Sequence, residues 1–259
     1  MEKDSLYRKW KETQLEWDDT EFLEKKANKL MKKRWERLNS TIVKMLEAEV
    51  VVKNEYLALL DIGAGRGDFY RHAADTLKKY TGIEPSSSML KNSIIEDDFE
   101  LKQGRGEDLS YEDEFDACLI KEVLDHCYEP GKVIENAGRA LKKGGLLIIS
   151  LTNKNSYYKL ILKKKAKELE KQHKDHLYNF NEEEVIDLIK KAGLETEKVK
   201  SINYLRMPAF AENIAGSFPK KLVFLLLDVT DRFFRLFLKG KGGSFIITAR
   251  KAASPGDSK

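Results

Sequence analysis

Cysteine is nearly missing from this 259-residue chain, which carries only Cys118 and Cys127. One lies in an apolar, strand-like run and the other just beyond it, so they build neither a disulfide framework nor a thiolate metal centre. No metal is expected, and a reducing, cytoplasmic compartment is the default. A strong charge of either sign is also missing: 47 Lys and Arg against 43 Asp and Glu leave +4. This is far from the basic footprint of a dedicated nucleic-acid binder. Residues Met1 to Ser5 offer no apolar h-region, so no secretory signal is expected. The longest apolar run, Leu222 to Leu238, is interrupted by Asp228, Asp231, Arg232 and Arg235 and cannot be a conventional membrane span. There is no internal repeat or extended low-complexity segment. The first 50 residues contain neither glycine nor proline.

What is present is enough apolar material, 41% of residues, for one good core. Residues 1 to 50 are charged, with an interrupted apolar face through Leu6, Trp10, Leu15, Phe22, Leu30, Trp35, Leu38, Ile42, Met45 and Leu46, the pattern of one or two helices. From Glu55 onward strands and helices alternate. Strands are expected at Tyr56–Ile62, Thr81–Glu84, Phe99–Gln103, Phe115–Ile120 and Leu146–Leu151. Helices are expected through Tyr70–Leu77, from Ser86, around Val133–Leu141, over Lys154–His173 and over Asn181–Ala192, the last ended by Gly193. Lys198–Tyr204 and Ser244–Lys251 supply a sixth and a seventh strand. Such alternation implies an α/β fold, a doubly wound and mostly parallel sheet.

The most telling stretch is Tyr56-Leu-Ala-Leu-Leu-Asp61-Ile62-Gly63-Ala64-Gly65-Arg66-Gly67: an apolar strand ends on an acid and turns through three glycines toward a helix. Glycine lets bare backbone approach a ligand. A dinucleotide fingerprint would read GxGxxG and a P-loop would end in Gly-Lys-Ser/Thr, whereas this loop is DxGxGxG. Three further segments follow in order: Thr81-Gly-Ile-Glu84-Pro85-Ser86; Gly104-Arg105-Gly106-Glu107-Asp108-Leu109 with Phe115 to Ile120; and Leu141-Lys-Lys-Gly-Gly145 with Leu146 to Ser150. Together, over roughly residues 50 to 152, they resemble the class I S-adenosylmethionine-dependent methyltransferases. The resemblance implies a Rossmann-like, seven-stranded sheet with an N-terminal helical lid (1–50), a core (51–205 and 244–251), a helical insertion before the last strand (206–243) and a disordered tail (252–259).

The resemblance also assigns the cofactor, S-adenosylmethionine, with S-adenosylhomocysteine as product. It would be held by Asp61, Ile62, Gly63, Ala64, Gly65 and Gly67; by Glu84, Pro85 and Met89; by Gly106, Glu107 and Asp108; and by Lys121 and Glu122 near the reacting end. Glu84 fits the ribose because a carboxylate accepts two hydrogen bonds from a vicinal diol. Asp61 would serve the methionine ammonium, the alternative being a turn cap. Met89 would pack on the adenine or simply in the core. The adenine loop departs from the common "DAEDL" pattern: Arg105 has no acceptor, so Glu107, Asp108 or a carbonyl must take that task.

After the fourth strand comes Lys121-Glu122-Val123-Leu124-Asp125-His126, without the Asn/Asp-Pro-Pro-Tyr/Phe tetrad of amino-directed DNA and glutamine enzymes. It resembles instead the "hvLeH" stretch of the small-molecule branch, and His176-Leu-Tyr-Asn-Phe resembles a turn of sugar, quinone and natural-product methyltransferases. His126 and His176 are therefore candidate general bases, with Tyr178 as a substrate-orienting neighbour; a structural histidine is the competing and favoured reading. The expected activity is methyl transfer to a small organic or lipid-like acceptor. An RNA methyltransferase and a non-catalytic cofactor-binding partner are the alternatives. For Leu222–Leu238 the order of expectation is substrate-pocket wall, dimer contact, then membrane-surface helix.

Overall fold

The chain folds around one seven-stranded sheet with helices on both faces. The computed structural model describes residues 2–15, 27–93, 99–161, 176–207 and 209–252. The strands are β1 Leu57–Ile62, β2 Leu77–Glu84, β3 Phe99–Gln103, β4 Phe115–Lys121, β5 Leu141–Thr152, β6 Leu194–Ile202 and β7 Ser244–Lys251. Their order is β3-β2-β1-β4-β5-β7-β6, parallel except for β7, which runs antiparallel to β5 and β6. The helices are α1 Glu2–Gln14, α2 Lys29–Lys53, α3 Tyr70–Ala73, α4 Ser87–Lys91, α5 Pro130–Ala140, α6 Tyr157–Ile161, α7 Glu182–Lys191, α8 Ala209–Gly216 and α9 Lys220–Phe237. Trp17, Phe22, most of the Lys-rich run 162–175, Pro208 and the tail 253–259 lie outside the described residues.

Side chains alternate along each strand, so the sheet buries two apolar faces. Leu60, Ile62, Cys118, Ile120, Leu147 and Ile149 meet Val133, Ile134 and Ala137 of α5 and Val185 and Ile189 of α7. Leu57, Leu59, Ala117, Leu119 and Ile148 meet Leu38, Ile42 and Leu46 of α2 and Tyr70 of α3. Helix α2 is thus a layer of the core, and among the described residues of the expected N-terminal lid it is α1 that lies over the loop edge. The helix expected through Leu77 is shorter than its pattern: α3 is one turn, followed by a 3-10 turn Ala74–Thr76, because Leu77 already pairs with Leu57 at the start of β2.

Two buried ion pairs fasten the insertion to α2. Arg34 meets Glu212 of α8 at 2.6 Å and Arg37 meets Asp231 of α9 at 2.5 Å, with Asp228 at 2.9 Å. Leu30 packs with Val223 and Leu227 beside them. The insertion leaves the sheet after β6 and returns before β7, where Asn153 N–H, just beyond β5, donates to Gly243 carbonyl. Its root is therefore at the carboxyl ends of the parallel strands, the edge where ligands bind in open α/β sheets. No described helix is long and apolar enough to cross a membrane.

Candidate active site

The carboxyl end of β1 runs into the glycine loop. Gly63 and Gly65 take φ of +75° and +58°, a region that side chains rarely enter. A Cβ on Gly63 would sit 2.3 Å from Val123, so the segment after β4 closes directly on the loop. At Gly65 the nearest neighbour within 4 Å is the tip of Met89, 3.1 Å away. The loop hangs on β2: Gly63 and Ala64 N–H donate to Ile83 carbonyl at 2.8 and 3.1 Å. Glu84, 5% exposed, completes the suspension, its two oxygens accepting from Gly65 N–H at 2.9 Å and Ser86 N–H at 2.8 Å. Gly65, Glu84 and Met89 are thereby brought together as the ends of two adjacent strands, with Pro85 between Glu84 and the Ser86 cap of α4.

Asp61 of β1 is bonded to the neighbouring strand β2. It is 2% exposed, and its carboxylate accepts from Tyr80 hydroxyl at 2.5 Å on the α2 and α3 side of the sheet. Burial pushes its carboxyl above the usual range, opposed by the charge of Lys121 and the Tyr80 bond. Lys121 in turn donates to Asn39 at 3.1 Å and lies over the Phe69 ring. These residues brace the loop from beneath.

The expected adenine loop is the 3-10 turn Gly106–Asp108. Glu107 does not point its carboxylate into open space: one oxygen accepts from Tyr128 N–H at 2.8 Å and Glu129 N–H at 3.2 Å. Glu129, the cap of α5, makes no side-chain cap bond of its own, and the Glu107 carboxylate satisfies backbone donors there instead. Asp108 is turned toward Arg105, which grips it at 2.6 and 2.8 Å. Gly106 is buried against Ile62 and Val133, so of this trio the glycine backbone sits nearest the end of β1.

Helix α1 lies across these elements. Arg105 stacks on the rings of Trp10 and Tyr7, Tyr7 meets the edge of Tyr128, and Leu15 carbonyl accepts from Ser87 N–H at 3.0 Å. Lys9 reaches His176 carbonyl at 3.1 Å. Trp10, 4% exposed, is therefore packing within this cover.

Beyond β4 the chain takes a strained turn, with Glu122 at φ +55°, held by its N–H to Ser150 carbonyl at 2.8 Å. Burial, and next the negative charge of Asp125, push the Glu122 carboxyl up to about 8. Asp125 then organises both candidate histidines. Its main-chain carbonyl accepts from Leu177 N–H at 2.8 Å and Tyr178 N–H at 3.1 Å, pinning the 176–178 turn. Its carboxylate lies 3.3 Å from His176 Nδ1 and 3.9 Å from His126 Nε2, and the two imidazoles meet edge-on at 4.6 Å. Tyr178 hydroxyl donates to Tyr128 carbonyl at 3.1 Å. Asp125 was absent from the sequence candidates; the available signal was an acid immediately before His126. The three side chains also form a group whose ligand atoms all lie within 4.8 Å, so the low cysteine count did not exclude a His/Asp cluster of metal-ligating type.

A cradle without side chains, a carboxylate at the next strand end and an imidazole pair 50 residues apart in sequence are the parts a group-transfer site needs. Residues 60–149 match the family described as "Methyltransferase domain". An uncharacterized protein of Methanocaldococcus jannaschii is 34% identical over 168 residues, 59% of this chain and 76% of that protein. The ubiquinone biosynthesis O-methyltransferase of Thiobacillus denitrificans is 27% identical over 157 residues, 56% of this chain and 68% of the relative. Among solved structures, a Thermotoga maritima protein described as an S-adenosylmethionine-dependent methyltransferase, possible histamine N-methyltransferase, superposes with a TM-score of 0.52 at 22% identity. The match covers 84% of this chain and 93% of that one, a likeness of fold.

Proposed function

Because the chain belongs to the class I S-adenosylmethionine-dependent methyltransferases, we propose that it methylates a hydroxyl of a small organic acceptor, lipid-like acceptors included. The single observation that carries the hydroxyl is the Asp125, His126 and His176 cluster beside the Gly63–Val123 contact. S-adenosylmethionine supplies an activated methyl group on its sulfonium. The residues present fit that donor: at Gly65 a side chain would intrude where Met89 alone approaches, and Glu84 stands at the adjacent strand end to take ribose hydroxyls. Ile62, Ala64 and Gly67 shape the same loop, and the Gly106 backbone borders the adenine side. In this reading α1 is the cover of the donor site.

Methyl transfer mainly requires donor and nucleophile to be held in line, within about 3.5 Å. The chain's chemical contribution is then removal of the hydroxyl proton. An imidazole is a competent acceptor for that proton, and a phenolic hydroxyl, with a pKa near 10, gives it up far more readily than an alkyl alcohol. Asp125 beside His176 Nδ1 orients the ring and stabilises the imidazolium that forms, as a carboxylate does for a catalytic histidine elsewhere. The first named relative, an O-methyltransferase of quinone biosynthesis, supports oxygen as the accepting atom.

The test is turnover with phenolic acceptors by His176→Ala, His126→Ala and Asp125→Asn chains, scored by S-adenosylhomocysteine release. The reading expects a fall in kcat of about 100-fold or more for the histidine that serves as base, with cofactor affinity kept. Full activity in all three variants, or transfer to RNA in preference to any phenol, would overturn it.

A further inference from the structure

Helix α9 turns a second apolar side away from the protein. Its inward positions are Val223, Leu227 and Asp231, and Asp231 is the buried carboxylate that Arg37 holds. Its outward positions are Leu222, Leu225, Val229, Phe233, Leu236 and Phe237, between 54% and 79% exposed. Val223 and Leu227 pack inward beside the Asp231 pair, and leucine and phenylalanine also face outward, where an ordinary surface helix carries polar side chains. The stripe runs the length of the helix, about 27 Å at 1.5 Å per residue. Phe210 and Ile214 of α8 and Phe218 just beyond it are also more than half exposed. A contiguous apolar surface of this extent marks an interaction site.

The charges around the stripe select what covers it. Lys220, Lys221, Arg232 and Lys239 are exposed along α9 and its end. Of the acids of the same helix, Asp231 is buried against Arg37, and Asp228, 59% exposed, also meets Arg37, while Glu212 of α8 is taken by Arg34. The apolar stripe therefore carries a rim that is basic in effect, although Lys220 also reaches Glu36 of α2 at 3.4 Å. A second copy docked face to face would set these cations against their own kind. An anionic phospholipid surface meets both features: acyl chains take the stripe and headgroups take the lysines and arginine.

We propose that α8 and α9 dock this protein on the surface of an anionic phospholipid bilayer, with α9 lying in the interface plane. The insertion springs from the carboxyl edge of the sheet, so docking would turn the acceptor side of the enzyme toward the lipid. Asp231 and Arg37 keep the stripe outward by locking the polar side of α9 onto α2.

Sedimentation of the full chain with vesicles tests this. Binding is expected with phosphatidylcholine mixed with phosphatidylglycerol, little with phosphatidylcholine alone, and binding should weaken as salt rises. A Leu225→Glu/Phe233→Glu chain should lose at least about tenfold in vesicle affinity while its circular dichroism and S-adenosylhomocysteine affinity stay unchanged. A Lys221→Glu/Arg232→Glu chain, which leaves the apolar surface intact, should lose the preference for phosphatidylglycerol. Three results would each overturn the proposal: no vesicle binding by the wild type, undiminished binding by the Glu variants, or a concentration-dependent dimer that Leu225→Glu/Phe233→Glu dissolves.

Discussion

Replacing Glu84 by alanine should produce two separable losses. The carboxylate accepts one hydrogen bond from Gly65 N–H at 2.9 Å and another from Ser86 N–H at 2.8 Å, from a position only 5% exposed. Hydrogen bonds to a charged group contribute about 1.5 to 3 kcal/mol each, and a half-exposed loop lets water recover part of that. The apo chain is therefore expected to lose about 2 to 4 kcal/mol in urea unfolding. Cofactor binding should suffer independently, since the same carboxylate is the ribose acceptor in this account. Two lost bonds to a carboxylate, partly replaced by water entering the site, correspond to about 2 to 4 kcal/mol, or about 30- to 1,000-fold in Kd by calorimetry with S-adenosylhomocysteine. The titration must be run at a temperature where circular dichroism shows the variant folded. An unchanged Kd in a folded variant would refute the ribose role. Unchanged unfolding would refute the loop suspension.

Three other perturbations probe the rest of the structure. Glu122 carries a folded-state pKa of about 8 against 4.5 for the ordinary group. The folded chain thus holds a proton that the unfolded chain releases, and stability should fall as pH rises through that window, by at most about 1.4 kcal/mol per pH unit. Glu122→Gln should flatten this part of the curve in urea titrations, and parallel curves for both chains would remove the buried acid as the cause. Arg37→Ala leaves the buried Asp231 carboxylate without its counter-charge, held among the described residues only by Asn203 and Tyr204 N–H, and should cost about 3 to 5 kcal/mol in urea unfolding; a loss under about 1 kcal/mol would mean the pair is solvated. Hydrogen exchange should slow in α1 as well as in the glycine loop when S-adenosylhomocysteine is added. Indifference of α1 would remove it from the donor site.

The centre of the sheet was legible because β1, β4 and the second half of β5 are apolar runs, and turns carry their own signals, such as Asn181, which accepts from Glu184 N–H in a capping box. The glycine loop was legible for the same local reason. Long-range partnerships were not. Nothing local in the sequence distinguishes Arg34 and Arg37 from the other cations of the first 50 residues, and their acids lie more than 170 residues away. Nothing near Glu107 in sequence announces the Tyr128 and Glu129 N–H groups that one of its oxygens satisfies. The helix pattern through Leu77 lost to pairing with Leu57. Leu222 to Leu238 could be recognised as apolar, but which side faces outward was set by Arg37, a residue outside the run.

The most direct measurement of the central claim is transfer of isotope-labelled methyl from S-adenosylmethionine to a phenolic acceptor by the wild-type chain and by Gly65→Val. Valine at a φ of +58° strains the turn and fills space that, among the described residues, Met89 borders. The account predicts label on the phenolic oxygen with the wild type, in step with S-adenosylhomocysteine formed, and none with a folded Gly65→Val chain. Equal transfer by both chains, or label found only in RNA, would contradict it.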